Sequence, residues 1–353
     1  MLDLDGVICE IRKEGQDYDQ VRVNEGAIEK IKELKAAGHY IILQTARHMK
    51  TCKGDQGQVV AKIGKKTLDW LERNTILYDE IYFGKPHAEV YIDDLAYEFR
   101  GWDNILPDNF DSNKVNILIP MAGAGLRFKQ KGFVDPKPLI KTKGKTLVEW
   151  AVRSFHFLNK IKTYRLIFIV LDEHVKKFRI DKQLKELFGN ETVVITQFGL
   201  LSGQAKSSYL AKEYIDNFNK LFIFNCDTYS ESAIWELIEK EDPDGILEVF
   251  ESSEPRYSFV KLDEFGYVTQ TAEKVTISNL ASTGMYYFKR GTDFVRAAEA
   301  LFMRQETQNN EFYIIPCYNE MLKSGKKIRA VKALKNYILG TPEELKAFEK
   351  NKE

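Results

Sequence analysis

Val115-Asn116-Ile117-Leu118-Ile119-Pro120-Met121-Ala122-Gly123-Ala124-Gly125-Leu126-Arg127-Phe128 is the stretch on which the fold of this chain turns. Residues 115–120 are nearly all apolar and read as a strand. Alanine and glycine then alternate, and such small residues let backbone N–H groups approach a polyphosphate closely. Arg127 is placed to grip its β and γ oxygens. Farther on, Asp135-Pro136-Lys137-Pro138-Leu139-Ile140 stiffens the backbone around a lysine, which can neutralise charge developing at an α-phosphate. A GxG alone is more often a tight turn; the arginine and the PKPL segment make the combination specific. It is neither a Walker loop, which needs GK[ST], nor a dehydrogenase fingerprint with an acidic residue on the next strand.

Outward from this loop, apolar runs alternate with helical patterns. A helix is predicted over 147–158 and a strand over 165–171. Upstream, 41–43, 80–83 and 90–92 read as strands and 59–74 as an amphipathic helix. Strand, helix, strand in this order implies parallel sheets with crossover helices, whose ligands sit beyond the carboxyl ends of the strands. A seam is expected at 101–114, GWDNILPDNFDSNK, which lacks periodicity and is rich in Asp, Asn and Pro. It divides the chain into domains 1–105 and 114–353, and 353 residues are long for one core.

Lys+Arg and Asp+Glu number 52 each, so no net field recruits nucleic acid or an anionic membrane. The longest apolar runs, such as 166–171, are strand-length, and no charged-then-apolar leader follows Met1. Cys9, Cys52, Cys226 and Cys317 are far apart and read as buried reduced thiols; the histidines show no metal spacing. The expectation is a cytoplasmic protein that binds neither nucleic acid nor membrane, with homo-oligomerisation left open.

The chain opens Met1-Leu2-Asp3-Leu4-Asp5-Gly6-Val7. Carboxylates at i and i+2 can work together on a phosphoryl group, one attacking phosphorus while the other protonates the leaving oxygen. An acidic pair beside glycine is equally common in turns. Thr45 then ends an apolar strand with a hydroxyl donor, and Lys85 in Gly84-Lys85-Pro86 offers a cation. Tyr91-Ile92-Asp93-Asp94 ends another strand with two carboxylates suited to Mg2+. Singly, Thr45 and Lys85 would be a turn residue and a solvated charge. In that order the series resembles the haloacid dehalogenase (HAD) superfamily of phosphatases over roughly residues 1 to 100. The resemblance implies Asp3 as nucleophile, Asp5 as acid/base, Thr45 and Lys85 as phosphate ligands, and Asp93 and Asp94 holding Mg2+ beside Asp3. The stretches between these motifs are used up by core helices and strands, so no sizeable cap fits. Only Met1 and Leu2 precede Asp3, whereas a buried central strand usually needs about five residues, so the expectation is either a natural start upstream or a short first strand.

The 115–128 loop with its PKPL segment resembles the signature of the sugar-phosphate nucleotidyltransferases, whose usual members carry two adjacent glycines where alanine and glycine alternate here. Further landmarks follow over nearly all of 114–340. Lys143-Gly144-Lys145-Thr146-Leu147-Val148-Glu149-Trp150 reads as the turn and helix after the signature. Ser202-Gly203-Gln204-Ala205 is a polar loop where the family contacts the base, and Leu221-Phe222-Ile223-Phe224-Asn225-Cys226-Asp227 ends at the family's Mg2+ position, Asp227. Glu273-Lys274 and Ser282-Thr283-Gly284-Met285-Tyr286 match acceptor-side segments. Lys274 is a candidate for the acceptor phosphate, and Glu311 in Asn309-Asn310-Glu311-Phe312-Tyr313 for a second metal contact. Alone, 202–205 would be a surface turn, Asp227 a helix cap and Lys274 a solvated charge.

The resemblances together imply an α/β protein of two Rossmann-like domains, HAD-like and then GT-A-like. Arg127 and Lys137 would be catalytic, Gly123 and Gly125 would bind phosphate, and Met121, Ala122, Gly203 and Gln204 would bind nucleotide. The implied reaction joins an NTP to a sugar or polyol phosphate with Mg2+, releasing pyrophosphate, for capsule or surface-glycan synthesis. CTP is favoured because 144–150 looks like cytidylyltransferase relatives. Two competing expectations are a vestigial, structural HAD half and a nucleotide-binding regulator without transfer activity.

Overall fold

The computed structural model describes residues 1–88, 99, 101–105, 110 and 113–351. The chain forms two compact units, Met1–Phe110 and Asp111–Glu353.

In the second unit Val115–Pro120 is buried at every position and lies inside a nine-stranded mixed sheet. Parallel partners flank it, Lys220–Ile223 on one side and Tyr164–Leu171 on the other, with Val193–Gln197 beyond. Leu280–Phe288 runs antiparallel to Lys220–Ile223 and also pairs with Gly245–Glu251 and Ser258–Leu262. Alternate residues of each strand serve opposite faces. Leu118, Ile167, Leu221 and Phe288 pack with the helix Gly291–Met303, whereas Ile117, Phe168, Phe222 and Tyr287 pack with the helices Leu147–Arg153 and Ile234–Glu241. Each such aliphatic or aromatic side chain contributes about 1.5–3 kcal/mol by leaving water. This is why the central strand reads as a continuous apolar run.

The strand ends at Pro120 without losing a ladder bond, because pairing to Lys220–Ile223 stops at Leu118. The predicted helix 147–158 is shorter than expected. It spans Leu147–Arg153, and a 3-10 turn follows at His156–Asn159. Phe155 and Phe157 are both buried in one core, and residues two apart cannot share a helix face. The backbone unwinds between them so that both rings reach Phe222.

The first unit holds a parallel three-stranded sheet of Leu2–Asp3, Ile42–Gln44 and Glu80–Tyr82, with Ile42–Gln44 in the middle. The first strand is two residues long, in register with Leu43 and Gln44. The helix expected at 59–74 starts earlier, at Gln56, and passes through a π turn at Val60–Gly64 before ending at Arg73. Leu4, Ile8, Ile31, Leu43 and Trp70 form the core of this unit. The strand expected at 90–92, and with it Asp93 and Asp94, lies outside the described residues. All four cysteines are buried and unbridged. Among the described residues, no helix is long and apolar enough to cross a membrane.

Candidate active site

Where the chain leaves the central strand, Met121 N still donates to Ile169 O at 2.9 Å. Past it, among the described residues, the amides of Ala122, Gly123, Ala124 and Gly125 meet no protein acceptor, so a row of N–H donors is open to an anion. The side chains of Met121 and Ala122 are buried in the two cores, which leaves only their backbone for a nucleotide. Gly125 takes φ 62° and caps the short helix Leu126–Lys129, which carries the exposed Arg127. A Cβ on Gly125 would lie 3.5 Å from Lys137 Cβ, so the loop rests on that lysine.

Lys137 opens a 3-10 turn between its two prolines and pairs through its ammonium with Asp227. Burial alone would weaken the ammonium's hold on its proton, but Asp227 outweighs that and the affinity rises, with Arg127 opposing from nearby. Leu339 N donates to the Asp227 backbone oxygen at 2.7 Å. Gly340 follows, and a Cβ there would stand 3.0 Å from Asp227 Oδ2. Cys226 is no nucleophile, because burial pushes its thiol up to about 12.

Asp227 also lines a cavity of about 240 Å³ together with Gln204, Asn225, Glu273, Lys274 and Tyr313. Gln204 Nε2 donates to Asn225 Oδ1 at 2.7 Å. Gly203, at φ 101°, lets its loop close on Phe312, since a Cβ would come within 2.4 Å of Phe312 O. Lys274 lies directly after the strand Val268–Glu273, donates to the Tyr313 hydroxyl and stands 4.4 Å from the centre of that ring. Burial raises the Glu273 carboxyl, while its bond from Ser258 and the charge of Lys274 oppose the shift. Glu311 accepts from the Tyr313 hydroxyl and does not line this cavity.

In the first unit, Asp3 pairs with Lys85. Asp5 accepts from Thr45 Oγ1 at 3.3 Å and is clamped by Arg47, whose Nη2 lies 2.8 Å from Oδ1 and whose Nε lies 3.0 Å from it. The Arg47 side chain is fully buried, 4.5 Å from the centre of the Tyr18 ring. Nearby in sequence, Lys50, Lys53, Pro86 and His87 help line an open cavity of about 530 Å³.

The family described as Nucleotidyl transferase matches residues 117–337. The chain belongs to that family. Among solved structures, the nucleoside-diphosphate-sugar pyrophosphorylase of Vibrio cholerae RC9 is 30% identical, with a TM-score of 0.58; the match covers 67% of this chain and 100% of that one. The inositol-1-phosphate CTP transferase of T. maritima shares the fold at 18% identity and a TM-score of 0.53, over 66% of this chain and 93% of that one. So does a UDP-glucose pyrophosphorylase complexed with UDP-glucose, at 17% identity and 0.53, over 67% and 99%. No curated protein matches the chain. The second unit is thus a nucleotidyl transferase of the sugar-phosphate, NDP-sugar pyrophosphorylase type.

In the transferase unit Asp227 is the residue that could hold Mg2+. Asp227 already holds a cation, the Lys137 ammonium, and Gly340 keeps carbon away from one of its oxygens. No group of three His, Cys, Asp or Glu converges among the described residues. One carboxylate completed by substrate phosphates and water is, however, a ligand set that Mg2+ commonly takes. Two residues of these sites escaped the sequence reading. Arg47 follows Thr45 by two positions, and a charge just past a strand end was its only signal. Asn225 stands two before Asp227 and gave none, because its role comes from contact with Gln204.

Proposed function

We propose that this transferase moves a nucleoside monophosphate from an NTP, CTP foremost, to the phosphate of a sugar or polyol, with Mg2+ as cofactor. The products are an NDP-sugar or CDP-polyol and pyrophosphate. One observation carries the reading: Lys274 and Gln204 share a cavity with Asp227, and Asp227 is joined through Lys137 to the open amides of the 122–125 loop. In this reading the loop amides and Arg127 hold the β and γ oxygens, and Gln204 faces the base. Lys274 turns the acceptor phosphate for in-line attack on the α-phosphorus. Lys137 neutralises charge that builds there, so alignment and electrostatics supply the rate. Mg2+ held by Asp227 and the phosphates would add to that neutralisation.

The test is pyrophosphate release with each NTP against a panel of sugar and polyol phosphates. Turnover that falls about a hundredfold or more in Asp227→Ala is the expected result. Silence across the panel, with intact NTP binding, would favour a regulator instead.

For the first unit we propose a HAD-type phosphatase in which Asp3 takes the phosphoryl group and Lys85 and Thr45 hold its oxygens. The Arg47 clamp on Asp5 favours a second reading, a structural module, because it occupies the residue meant to move a proton. Asp3→Asn separates them. Loss of phosphate release with unchanged melting supports the phosphatase, and loss of folding alone supports the module.

A further inference from the structure

Lys137 and Lys274 are held in different ways. Lys137 is paired with the Asp227 carboxylate. The Lys274 ammonium donates instead to the Tyr313 hydroxyl and makes no ion pair among the described residues. Its charge therefore stays uncancelled. An ammonium carries three N–H donors, so two are left for an anion in the cavity that Lys274 and Tyr313 line.

Tyr313 can accept from Lys274 only if its own proton points elsewhere, because a phenol has a single proton to give. Glu311 takes that proton. Bonds in such a chain polarise one another, so the donation to Glu311 makes the phenol oxygen a better acceptor for Lys274. The Glu311 carboxylate thus acts on the ammonium through the phenol, without pairing with it.

The backbone fixes all three groups. Gln308 and Glu311 exchange two backbone bonds of 3.0 Å across Asn309 and Asn310, which stand at φ 52° and 61°. Both central residues of such a two-residue hairpin need positive φ, and asparagine suits them. Phe312 N donates to Ser202 O at 2.8 Å and Ala205 N to Phe312 O at 2.9 Å. The residue between Glu311 and Tyr313 is thereby pinned to the loop that carries Gln204. Lys274 stands at φ 54°, uncommon for a residue with a long side chain, and its N donates to Tyr257 O at 3.0 Å. Backbone strain held by surrounding bonds in this way points to a group whose direction matters.

We propose that Tyr313 and Glu311 are positioning residues for the acceptor: Tyr313 aims the Lys274 ammonium at the acceptor phosphate, and Glu311 fixes the Tyr313 hydroxyl rather than contacting a metal. The inference rests on the transferase reading, in which Lys274 binds that phosphate.

The test follows pyrophosphate release by the full chain and reads KM for the acceptor phosphate, KM for the NTP and the Mg2+ dependence. Tyr313→Phe keeps the ring and removes the hydroxyl. It should raise the acceptor KM about tenfold and leave the NTP KM and the Mg2+ dependence unchanged. Glu311 is exposed, so Glu311→Ala breaks the relay without opening a core. It should raise the acceptor KM alone, and Glu311→Gln, whose carbonyl still accepts from Tyr313, should restore most of the loss. An acceptor KM indifferent to Tyr313→Phe and Glu311→Ala, or equal rises in both KM values, would overturn the proposal. So would a Mg2+ dependence shifted in both Glu311 variants, the mark of a metal contact. If no acceptor releases pyrophosphate, the transferase reading fails, and calorimetry with inorganic phosphate decides the relay. Binding abolished in Lys274→Met and weakened about tenfold in Tyr313→Phe would support it. No phosphate binding, or binding that Tyr313→Phe leaves unchanged, would overturn it.

Discussion

Gly284 sits at φ 89° against the Asn225 amide, and a Cβ there would come within 2.0 Å of Asn225 Nδ2. Gly284→Ala is therefore expected to push Asn225 off Gln204 and to cost about 1–3 kcal/mol in left-handed strain and collision. Urea unfolding reads the cost, and a weakened NTP affinity by calorimetry reads the lost Gln204 contact. His174 gives a pH prediction. It is buried with both ring nitrogens unpartnered, and burial, helped by Lys129, holds its imidazolium below the usual 6.5. The unfolded chain takes the proton first as pH falls through 6.5, so stability declines from there until the folded ring protonates as well. Between about pH 7.5 and about pH 5 the wild-type protein should lose more stability than His174→Leu, and equal losses would remove this group from the account. Lys137 and Asp227 were legible as chemistry because each sits in a motif, although 90 positions separate them. Arg47 and Asn225 were not, since each is defined by a partner, Asp5 or Gln204, that it meets only once the chain is folded.

At the scale of elements, Thr146 and Glu149 form a reciprocal cap. Thr146 Oγ1 accepts from Glu149 N at 3.3 Å, and Glu149 accepts from Thr146 N at 2.7 Å. Thr146→Ala should cost about 1 kcal/mol by urea titration, and no change would mean that tertiary packing alone holds the helix. The central strands were readable because burial on both faces leaves a continuous apolar run. The break after Arg153 was not, because Ser154-Phe155-His156-Phe157 keeps helical composition. The competing gain is tertiary: Phe157 stacks on Trp235 at 4.4 Å, which no periodicity announces. The C-terminal helix Pro342–Lys350 starts where Thr341 caps Glu344 N at 3.2 Å. Phe348 is buried against Trp150 at 5.1 Å, so this helix belongs to the core that backs the site.

At the scale of the whole molecule, the family match lies inside the second unit, which has its own sheet and cores. Expressed as residues 111–353, that unit is expected to fold and to keep pyrophosphate-releasing activity. Loss of activity with a retained fold would show that the first unit contributes to transfer. The balance of 52 basic and 52 acidic residues predicted no polyanion surface, and it left the anion site to be found locally, in the loop after Pro120. The measurement that bears most directly on the central claim is 31P NMR of the full chain with CTP, Mg2+ and the acceptor phosphate that scores in the pyrophosphate screen. The account predicts a new pair of coupled diphosphate-diester resonances growing in step with pyrophosphate, both absent with Asp227→Ala. Orthophosphate as the only new signal, or pyrophosphate without the diester pair, would contradict it.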